Sequence, residues 1–354
     1  MLRASCLWIG FSVVAILGTI LGVTLRLSNP QTAMEIPGTY VSVGFANDRE
    51  SKPRLVTCDK HGVIRFLNSE GLEVSKRQLP GIKNVLSFSF SVQADVYCVM
   101  TAMGEAVFGV FSTGEVRKQF KLDFVYSRLE FSHDGRFAWL SGADPVRIWR
   151  VSDLSEVVVP RPFRNNQTGT AVAVFRQGDS DVLASAKFPD GEVPLYDLES
   201  GDRMAPFVSD HPHDNKFIEV ISVPNGRLLI GASMVAALVW DTETHEQVAR
   251  LPGFGGGLGS RLAVSGDGRT LVYAAGFQSR NSPPGIRTYR TKDWSQTNAF
   301  KLTGEPHGDD GEDDYLYAIA VSHDGSLVGS KHGNGTVRLW VNSTTQDSRD
   351  SSSK

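Results

Sequence analysis

The segment 317–341, YAIAVSHDGSLVGSKHGNGTVRLWV, determines how the rest of the chain is interpreted. Two short apolar runs flank a Ser-His-Asp-Gly turn, and a Gly-Asn-Gly turn leads to a third run that ends in Trp340 and Val341. This pattern is typical of three short strands that are joined by tight turns. Because three strands of about five residues bury little apolar surface, we expect similar units to stack beside this one.

Related units recur along the whole chain. The Ser-His-Asp-Gly turn is repeated at 132–135, and weaker versions occur at 265–268 (SGDG) and 223–226 (VPNG). An aromatic residue that closes the third strand returns roughly every 40 to 50 residues, the length of one four-stranded propeller blade. The period-2 pattern excludes helical repeats. The recurring aromatic residues are Phe66, Phe108 or Phe111, Trp149, Tyr196, Trp240, Tyr289 and Trp340.

The repeats predict an all-β fold, a seven-bladed β-propeller of four-stranded antiparallel blades within residues 39–342. Residues 343–354 are polar and low in complexity, and we expect this tail to be disordered. The predicted blades span 41–79, 84–121, 126–159, 170–208, 217–251, 260–302 and 316–341.

The repeat unit resembles the WD-repeat family, in which an Asp-Gly turn follows the first strand and Trp-Asp ends the third. The match is best at 335–340 (GTVRLW), 146–149 (VRIW) and 238–241 (LVWD), and the last of these keeps the Trp-Asp pair. A network of His, Ser or Thr, Asp and Trp often holds the blades of this family, and in the last blade Asn334 stands at the position of the Asp. The resemblance implies structural roles for Trp149, Trp240, Trp340, Ser330, Asn334 and His307.

The seventh unit ends after its third strand, so that its blade is one strand short. Residues 32–36 lie just before the first blade and have a sequence that could pair as a strand. We therefore predict that the segment 28–38 is a connector whose strand becomes the outer strand of blade seven and closes the ring.

Residues 7–25, LWIGFSVVAILGTILGVTL, form a run of 19 residues without a charge between Arg3 and Arg26. As a helix this run is about 28 Å long, enough to cross the apolar core of a bilayer. The sequence predicts one N-terminal transmembrane helix within residues 1–27, with the propeller outside the cytoplasm. A cleaved signal peptide, which would leave a secreted or periplasmic protein, and a buried helix are the alternatives.

The overall charge is ordinary for a globular protein, with a formal net charge of -3 at pH 7. It lacks the basic excess of a nucleic-acid-binding protein. The three cysteines, Cys6, Cys58 and Cys98, form neither a disulfide framework nor a metal-binding motif, and no Cys-x-x-Cys-His motif for covalent haem is present. We expect no cofactor and no nucleic-acid partner.

Catalysis in a propeller requires carboxylates, histidines or metal ligands that converge at the channel mouth, and the sequence shows no such constellation. Four long loops remain as candidates for partner binding: 161–168 (RPFRNNQT), 210–215 (DHPHDN), 278–285 (QSRNSPPG) and 304–315, which holds six acids and no lysine or arginine. The acidic loop does not have the spacing of an EF-hand, but it could attract a basic partner or bind a cation loosely. The candidate residues are Asp210, His211, His213, Asp214, Gln278, Arg280, Asp309, Asp310, Asp313 and Asp314.

The sequence supports two hypotheses about function. The first is a membrane-tethered, non-catalytic, monomeric propeller that acts as a protein–protein interaction platform, which is what resemblance to WD-repeat proteins implies. The alternative is an extracytoplasmic propeller enzyme, or a sensor of a small ligand or metal, with its site at the channel mouth. In the first hypothesis the partner binds the face that carries the long loops.

Overall fold

The computed structural model describes residues 33–47, 51–123, 128–141, 146–158, 171–186, 192–211, 217–233, 235–253, 260–275, 285–302 and 316–342. The described residues belong to one compact unit that begins at Ala33, and none of them is helical. Residues 7–25 lie outside these ranges. Within the ranges, no helix is long and apolar enough to span a membrane.

The described chain forms seven antiparallel sheets of four strands each, which confirms the predicted propeller. The strands are β1 (Met34–Ile36), β2 (Tyr40–Asn47), β3 (Pro53–Asp59), β4 (Val63–Leu67), β5 (Glu73–Gln78), β6 (Val85–Ser91), β7 (Val96–Thr101), β8 (Glu105–Val110), β9 (Val116–Lys121), β10 (Arg128–Phe131), β11 (Phe137–Ser141), β12 (Arg147–Arg150), β13 (Ser155–Val157), β14 (Ala171–Gln177), β15 (Ser180–Ala186), β16 (Glu192–Asp197), β17 (Arg203–Val208), β18 (Phe217–Ser222), β19 (Leu228–Ser233), β20 (Ala236–Asp241), β21 (Gln247–Pro252), β22 (Ser260–Val264), β23 (Thr270–Ala275), β24 (Gly285–Arg290), β25 (Gln296–Lys301), β26 (Leu316–Val321), β27 (Leu327–His332) and β28 (Val337–Val341).

Blades 1 to 6 each consist of four consecutive strands, beginning with β2, β6, β10, β14, β18 and β22. The first strand of each blade is the innermost, and first strands of neighbouring blades contact one another around the central channel, except between blades 3 and 4, where β11 contacts β14. Their side chains alternate between the channel and the neighbouring blades because successive residues of a strand point to opposite sides. Side chains from seven blades therefore meet in the channel.

Blade 7 is completed by a strand from the other end of the chain. Its sheet has the order β1-β28-β27-β26, and Met34, Glu35 and Ile36 lie opposite Leu339, Arg338 and Val337. The predicted closure of the ring is thus observed, with a strand at Met34–Ile36. Ile36 is buried against apolar side chains of blades 7 and 1, so the closing strand contributes a side chain to the core as well as hydrogen bonds.

Aromatic side chains fill the spaces between blades. Trp149, Trp240 and Trp340 are almost completely buried, and each packs against the preceding blade. In blade 2 the equivalent contact is made by Phe111, whose ring centroid lies 5.9 Å from that of Phe66 in blade 1. The spacing of the aromatic residues thus predicted where the third strands lie. The packing shows which neighbouring blade each aromatic side chain contacts.

Phe108, the other aromatic candidate of blade 2, faces the following blade. Its ring centroid lies 5.4 Å from that of Trp149, with the two rings steeply inclined. Phe66 also packs toward the blade that follows its own. Phe66 and Phe108 therefore differ from the three tryptophans in the direction of their contact.

The two faces of the propeller differ in their connections. We use "turn face" for the face that carries the turns between first and second strands, such as residues 132–135, 265–268 and 322–325. In each of these turns the serine hydroxyl donates to the aspartate and accepts from a backbone N–H, and a glycine has a positive φ. We use "linker face" for the opposite face, with the turns between second and third strands and the links between blades, such as residues 79–84.

Ring closure by β1 can be tested within that strand. Ile36→Ala should lower the free energy of unfolding by about 2 kcal/mol because it removes buried apolar contacts, whereas Glu35→Gln, at the exposed neighbouring position, should change it by less than about 0.5 kcal/mol. Deletion of residues 1–38 should lower the melting temperature more than deletion of 1–29. Urea and thermal unfolding measure both effects, and identical curves for the two deletions would show that β1 does not hold the ring.

Candidate functional site

The channel contains a cavity of about 640 Å³ that opens at the turn face. Its wall consists of the last residues of the first strands and the turns that follow them. Space is left here because several of the strands contribute only small side chains, among them Ala46, Ser89, Ala173, Ala263 and Ala320. A cavity of this size is in the range of small-molecule sites.

Aromatic rings form one part of the cavity wall. Phe45, Phe90 and Phe131 are partly exposed in it, and Trp139 lines it from the second strand of blade 3. The ring of Phe90 is held by a parallel stack on Phe111, with centroids 4.4 Å apart and an angle of 4° between the planes. Packing against Phe111 consequently holds the Phe90 ring in position.

Glu130, which belongs to the first strand of blade 3, places its carboxyl group in the wall of the cavity. It lies on β10 two residues after Arg128, so both side chains point into the channel. The indole Nε1 of Trp139 donates a 2.9 Å hydrogen bond to Oε2 of Glu130. Burial raises the pKa of Glu130 to about 7, and the negative charge of Glu219 also raises it. The charges of Arg128 and Arg261 and the hydrogen bond from Trp139 act in the opposite direction.

A layer of charges crosses the channel beside Glu130. Oε2 of Glu219 lies 3.6 Å from Nη2 of Arg128 and 3.6 Å from Nη1 of Arg261, and its Oε1 accepts a hydrogen bond from the backbone N–H of Leu262. The arginines are also held by backbone carbonyls, since Arg128 donates to Ile218 and Arg261 to Tyr317. Blades 3, 5 and 6 therefore contribute two arginines and two glutamates, and both arginines are paired with Glu219.

This layer lies toward the linker face. Arg128 and Arg261 are the first and second residues of their strands, and strands β10 and β22 run from the linker face to the turn face. The cavity begins further along the strands, where small side chains take the place of the long arginines. The channel thus has a charged half near the linker face and an open half near the turn face.

Two histidines stand at the mouth of the cavity. His133 and His323 are both exposed and occupy the second position of their Ser-His-Asp-Gly turns. Desolvation by the neighbouring turns lowers the pKa of His133, while a hydrogen bond to the Ser222 backbone and the charge of Asp134 act to raise it. The ring of His323 lies against Gly266, where a Cβ atom would clash with it.

Within the described ranges, no group of three His, Cys, Asp or Glu side chains could hold a metal ion.

The loop residues that the sequence proposed for partner binding do not line this cavity. Asp210 and His211 are exposed on the linker face, where the backbone N–H of His211 donates to the Ser209 hydroxyl. The structure therefore does not bring this pair together with the channel residues. The other candidates lie outside the described residues; they are His213, Asp214, Gln278, Arg280, Asp309, Asp310, Asp313 and Asp314.

The residues assigned to blade packing are only partly brought together. Ser330 is buried and its hydroxyl lies 2.7 Å from Nε2 of His332, two residues further along β27. Asn334 is exposed, and its Oδ1 accepts hydrogen bonds from the backbone and hydroxyl of Thr336 in the following turn. In the described part of the chain, Ser330 and Asn334 thus have separate partners. His307 lies outside the described ranges.

The channel cluster was missed by reasoning from the sequence. Its signal lay in the first strands, where charged residues interrupt short apolar runs: RLEF in β10, FIEVIS in β18 and SRLAV in β22. A charge at the channel-facing position of a buried strand costs free energy unless it is paired. The charged residues in these three strands could therefore have been recognised from the sequence as a paired group.

Apolar side chains are exposed around the linker-face mouth of the channel. Leu86 and Tyr317 lie near the start of their first strands and are 44% and 50% exposed, and Met103, in the adjacent turn of blade 2, is 65% exposed. Blade 2 and blade 7 flank blade 1, so these three residues surround one side of the mouth. Nζ of Lys331 lies 4.7 Å from the Tyr317 ring centroid. We call Leu86, Met103 and Tyr317 the linker-face patch.

No protein-family model matches the sequence, and no curated protein matches it either. The resemblance to the WD-repeat family rests on its three motif segments. The structure adds seven four-stranded blades, which are consistent with a propeller of the WD-repeat kind.

Glu130 should make the fold less stable as the pH rises from about 4.5 to about 7. The carboxyl group has an ordinary pKa of 4.5 and a pKa of about 7 in the fold. The folded state therefore binds more protons than the unfolded state in this interval, and the free energy of unfolding falls with rising pH. Glu130→Gln should remove this decrease, as measured by urea unfolding at pH 5 and pH 7.5.

The exposed Glu199 at the turn face gives a matched control. Glu199→Gln should retain the pH dependence of the wild-type protein. An unchanged pH dependence in Glu130→Gln would show that Glu130 does not carry a raised pKa.

Proposed function

We propose that this protein is a membrane-tethered, non-catalytic β-propeller that acts as a protein–protein interaction platform, with the partner protein bound on the linker face. The fold is a common scaffold for such interactions. The observation that carries the proposal is the linker-face patch, where three large apolar side chains are open to solvent beside the channel mouth. Leu86 and Met103 belong to blade 2 and Tyr317 to blade 7, so the exposed side chains follow the rim of the mouth on both sides of blade 1. Groups of exposed large apolar side chains are typical of interaction sites.

The composition around the patch supports a protein partner. Tyr, Met and Arg are enriched in protein interfaces, and the backbone carbonyl of Tyr317 accepts a hydrogen bond from Arg261 of the channel layer. The patch is carried by strands and a tight turn, so its side chains are presented with little loss of backbone freedom on binding. Rigid presentation favours a partner that recognises a preformed surface.

A non-catalytic role fits the bonding of the channel charges. Glu219 is held by two arginines and a backbone N–H, which leaves it poorly suited to act as a base or a nucleophile. The membrane tether is proposed from residues 7–25. If these residues instead form a cleaved signal, the same propeller would act as a secreted or periplasmic protein.

The alternative function, a ligand site at the channel mouth, is favoured by the cavity at the turn face. This site lies on the face opposite to the linker-face patch. The two functions therefore do not compete for the same surface.

Photocrosslinking tests where the partner binds. A photoreactive amino acid at position 103 of the full-length protein should form an adduct with a partner in native membranes, because Met103 is exposed on the linker face. The same amino acid at position 72 should give little of this adduct, because Leu72, which is 61% exposed, lies on the turn face.

The specificity of the adduct can be checked within the patch. Leu86→Ser and Tyr317→Ser, introduced together, should reduce the adduct at position 103 at least fivefold, since truncated interface anchors typically cost more than about 1 kcal/mol each. Equal adducts from positions 103 and 72, or an adduct that survives the double substitution, would exclude this patch as the docking surface.

Alkaline carbonate extraction tests the tether. The full-length protein should stay with the membrane pellet, because a helix of about 19 apolar residues spans the bilayer, and a variant lacking residues 1–29 should be released. A mature protein whose N-terminus lies beyond residue 25 would contradict an uncleaved anchor and support a signal peptide.

A further inference from the structure

We propose that the cavity at the turn face binds an organic cation, whose ammonium or guanidinium group pairs with the carboxylate of Glu130 between the aromatic rings of the wall. This inference does not depend on the linker-face patch, which lies at the other end of the channel. It assigns a ligand class to the cavity.

The first observation is a carboxyl group with an open acceptor. Trp139 donates to Oε2 of Glu130, and no described residue donates a hydrogen bond to Oε1. The indole fixes the orientation of the group, since a buried Trp N–H that has a partner holds both side chains in place. No described arginine or lysine forms an ion pair with Glu130 within 4 Å, because Arg128 and Arg261 are paired with Glu219. The carboxyl group is thus positioned and still lacks a cationic partner of its own.

The second observation is the sign of the charges in the wall. Among the described residues that line the cavity there is no lysine and no arginine, and the acidic side chains are Glu130 and Asp134. Asp134 shares the guanidinium of Arg136 with Asp181, so it is only partly neutralised. An anionic ligand would meet two carboxylates without a positive charge in the wall. A cationic ligand is attracted instead.

The third observation is the aromatic wall. Phe45, Phe90, Phe131 and Trp139 line the cavity, as does Glu130. The faces of aromatic rings attract cations, and a combination of rings and a carboxylate is well suited to an alkylammonium group. The attraction is stronger in a recess that excludes most water than on an open surface.

The site should respond to pH. Glu130 is faced by Arg128 on its own strand, Trp139 on β11, Glu219 on β18 and Arg261 on β22, and its pKa is raised to about 7. Because the ionised form binds the cation, the dissociation constant should rise about tenfold from pH 8 to pH 6, as the ionised fraction falls from about nine tenths to about one tenth.

Calorimetric titration of the full-length protein tests the site with simple probes. Benzyltrimethylammonium should bind at pH 8, whereas benzyl alcohol and benzoate, which keep the ring without the positive charge, should bind at least tenfold more weakly. Glu130→Gln should weaken the binding of benzyltrimethylammonium at least tenfold and remove its pH dependence. Glu199→Gln on the same face is the control and should bind like the wild-type protein.

Two further arms distinguish the source of the cation. Butylamine stands for a free amine, and acetyl-lysine-methylamide and acetyl-arginine-methylamide stand for side chains of a partner protein. Binding of any of these cations that depends on Glu130 supports the proposal, and the tightest of them identifies the source. The proposal is overturned if no cation binds, if benzyl alcohol binds as tightly as benzyltrimethylammonium, or if Glu130→Gln binds the cations as the wild-type protein does while its unfolding remains cooperative.

Discussion

The architecture depends on a three-residue pairing between β1 and β28. Each blade of a propeller is covered on both sides only when the first and last blades meet, and here that meeting is made by a strand from the beginning of the chain. Ile36, Val337 and Leu339 share one apolar cluster with residues of blade 1. The same few side chains thus complete a sheet and join the two ends of the ring. Ordering strands so distant in sequence costs loop entropy, which the packing of seven blades must offset.

Once the ring is closed, the direction of its strands gives the two faces different chemistry. The first strands run from the linker face to the turn face, so the beginnings of all of them surround one mouth and their ends surround the other. An arginine occupies the first position of the first strand in blade 3 and the second position in blade 6, and small side chains occupy the last positions in several blades. A charged layer and an open cavity therefore lie in the same channel, although no single blade contains both features completely.

The sequence predicted those parts of the fold that are encoded locally. Each blade carries its own alternating strands and turns, so the number of blades, their approximate limits and the closing strand could be derived from residues 32–341. The direction of Phe66 and Phe108 toward the following blade could not be derived, because a spacing of aromatic residues does not state which side of a sheet they face. The channel cluster was hidden for another reason. Glu130, Glu219 and Arg261 come from three blades, and only the closed ring brings them together.

The charges in the channel are difficult to explain by stability. Replacing a buried ion pair by well-packed apolar residues is often neutral or stabilising, so a layer of two arginines and two glutamates is a weak contribution to the fold. Oε1 of Glu219 accepts a backbone hydrogen bond and its Oε2 lies 3.6 Å from each of two arginines, whereas Glu130 has one oxygen bound by Trp139 and a pKa raised by burial. Ionisation of Glu130 destabilises the fold, and a cation that binds from solution would offset this cost by pairing with the carboxylate. The cavity beside it leaves room for such a cation, which makes ligand binding a more direct explanation of Glu130 than structural support.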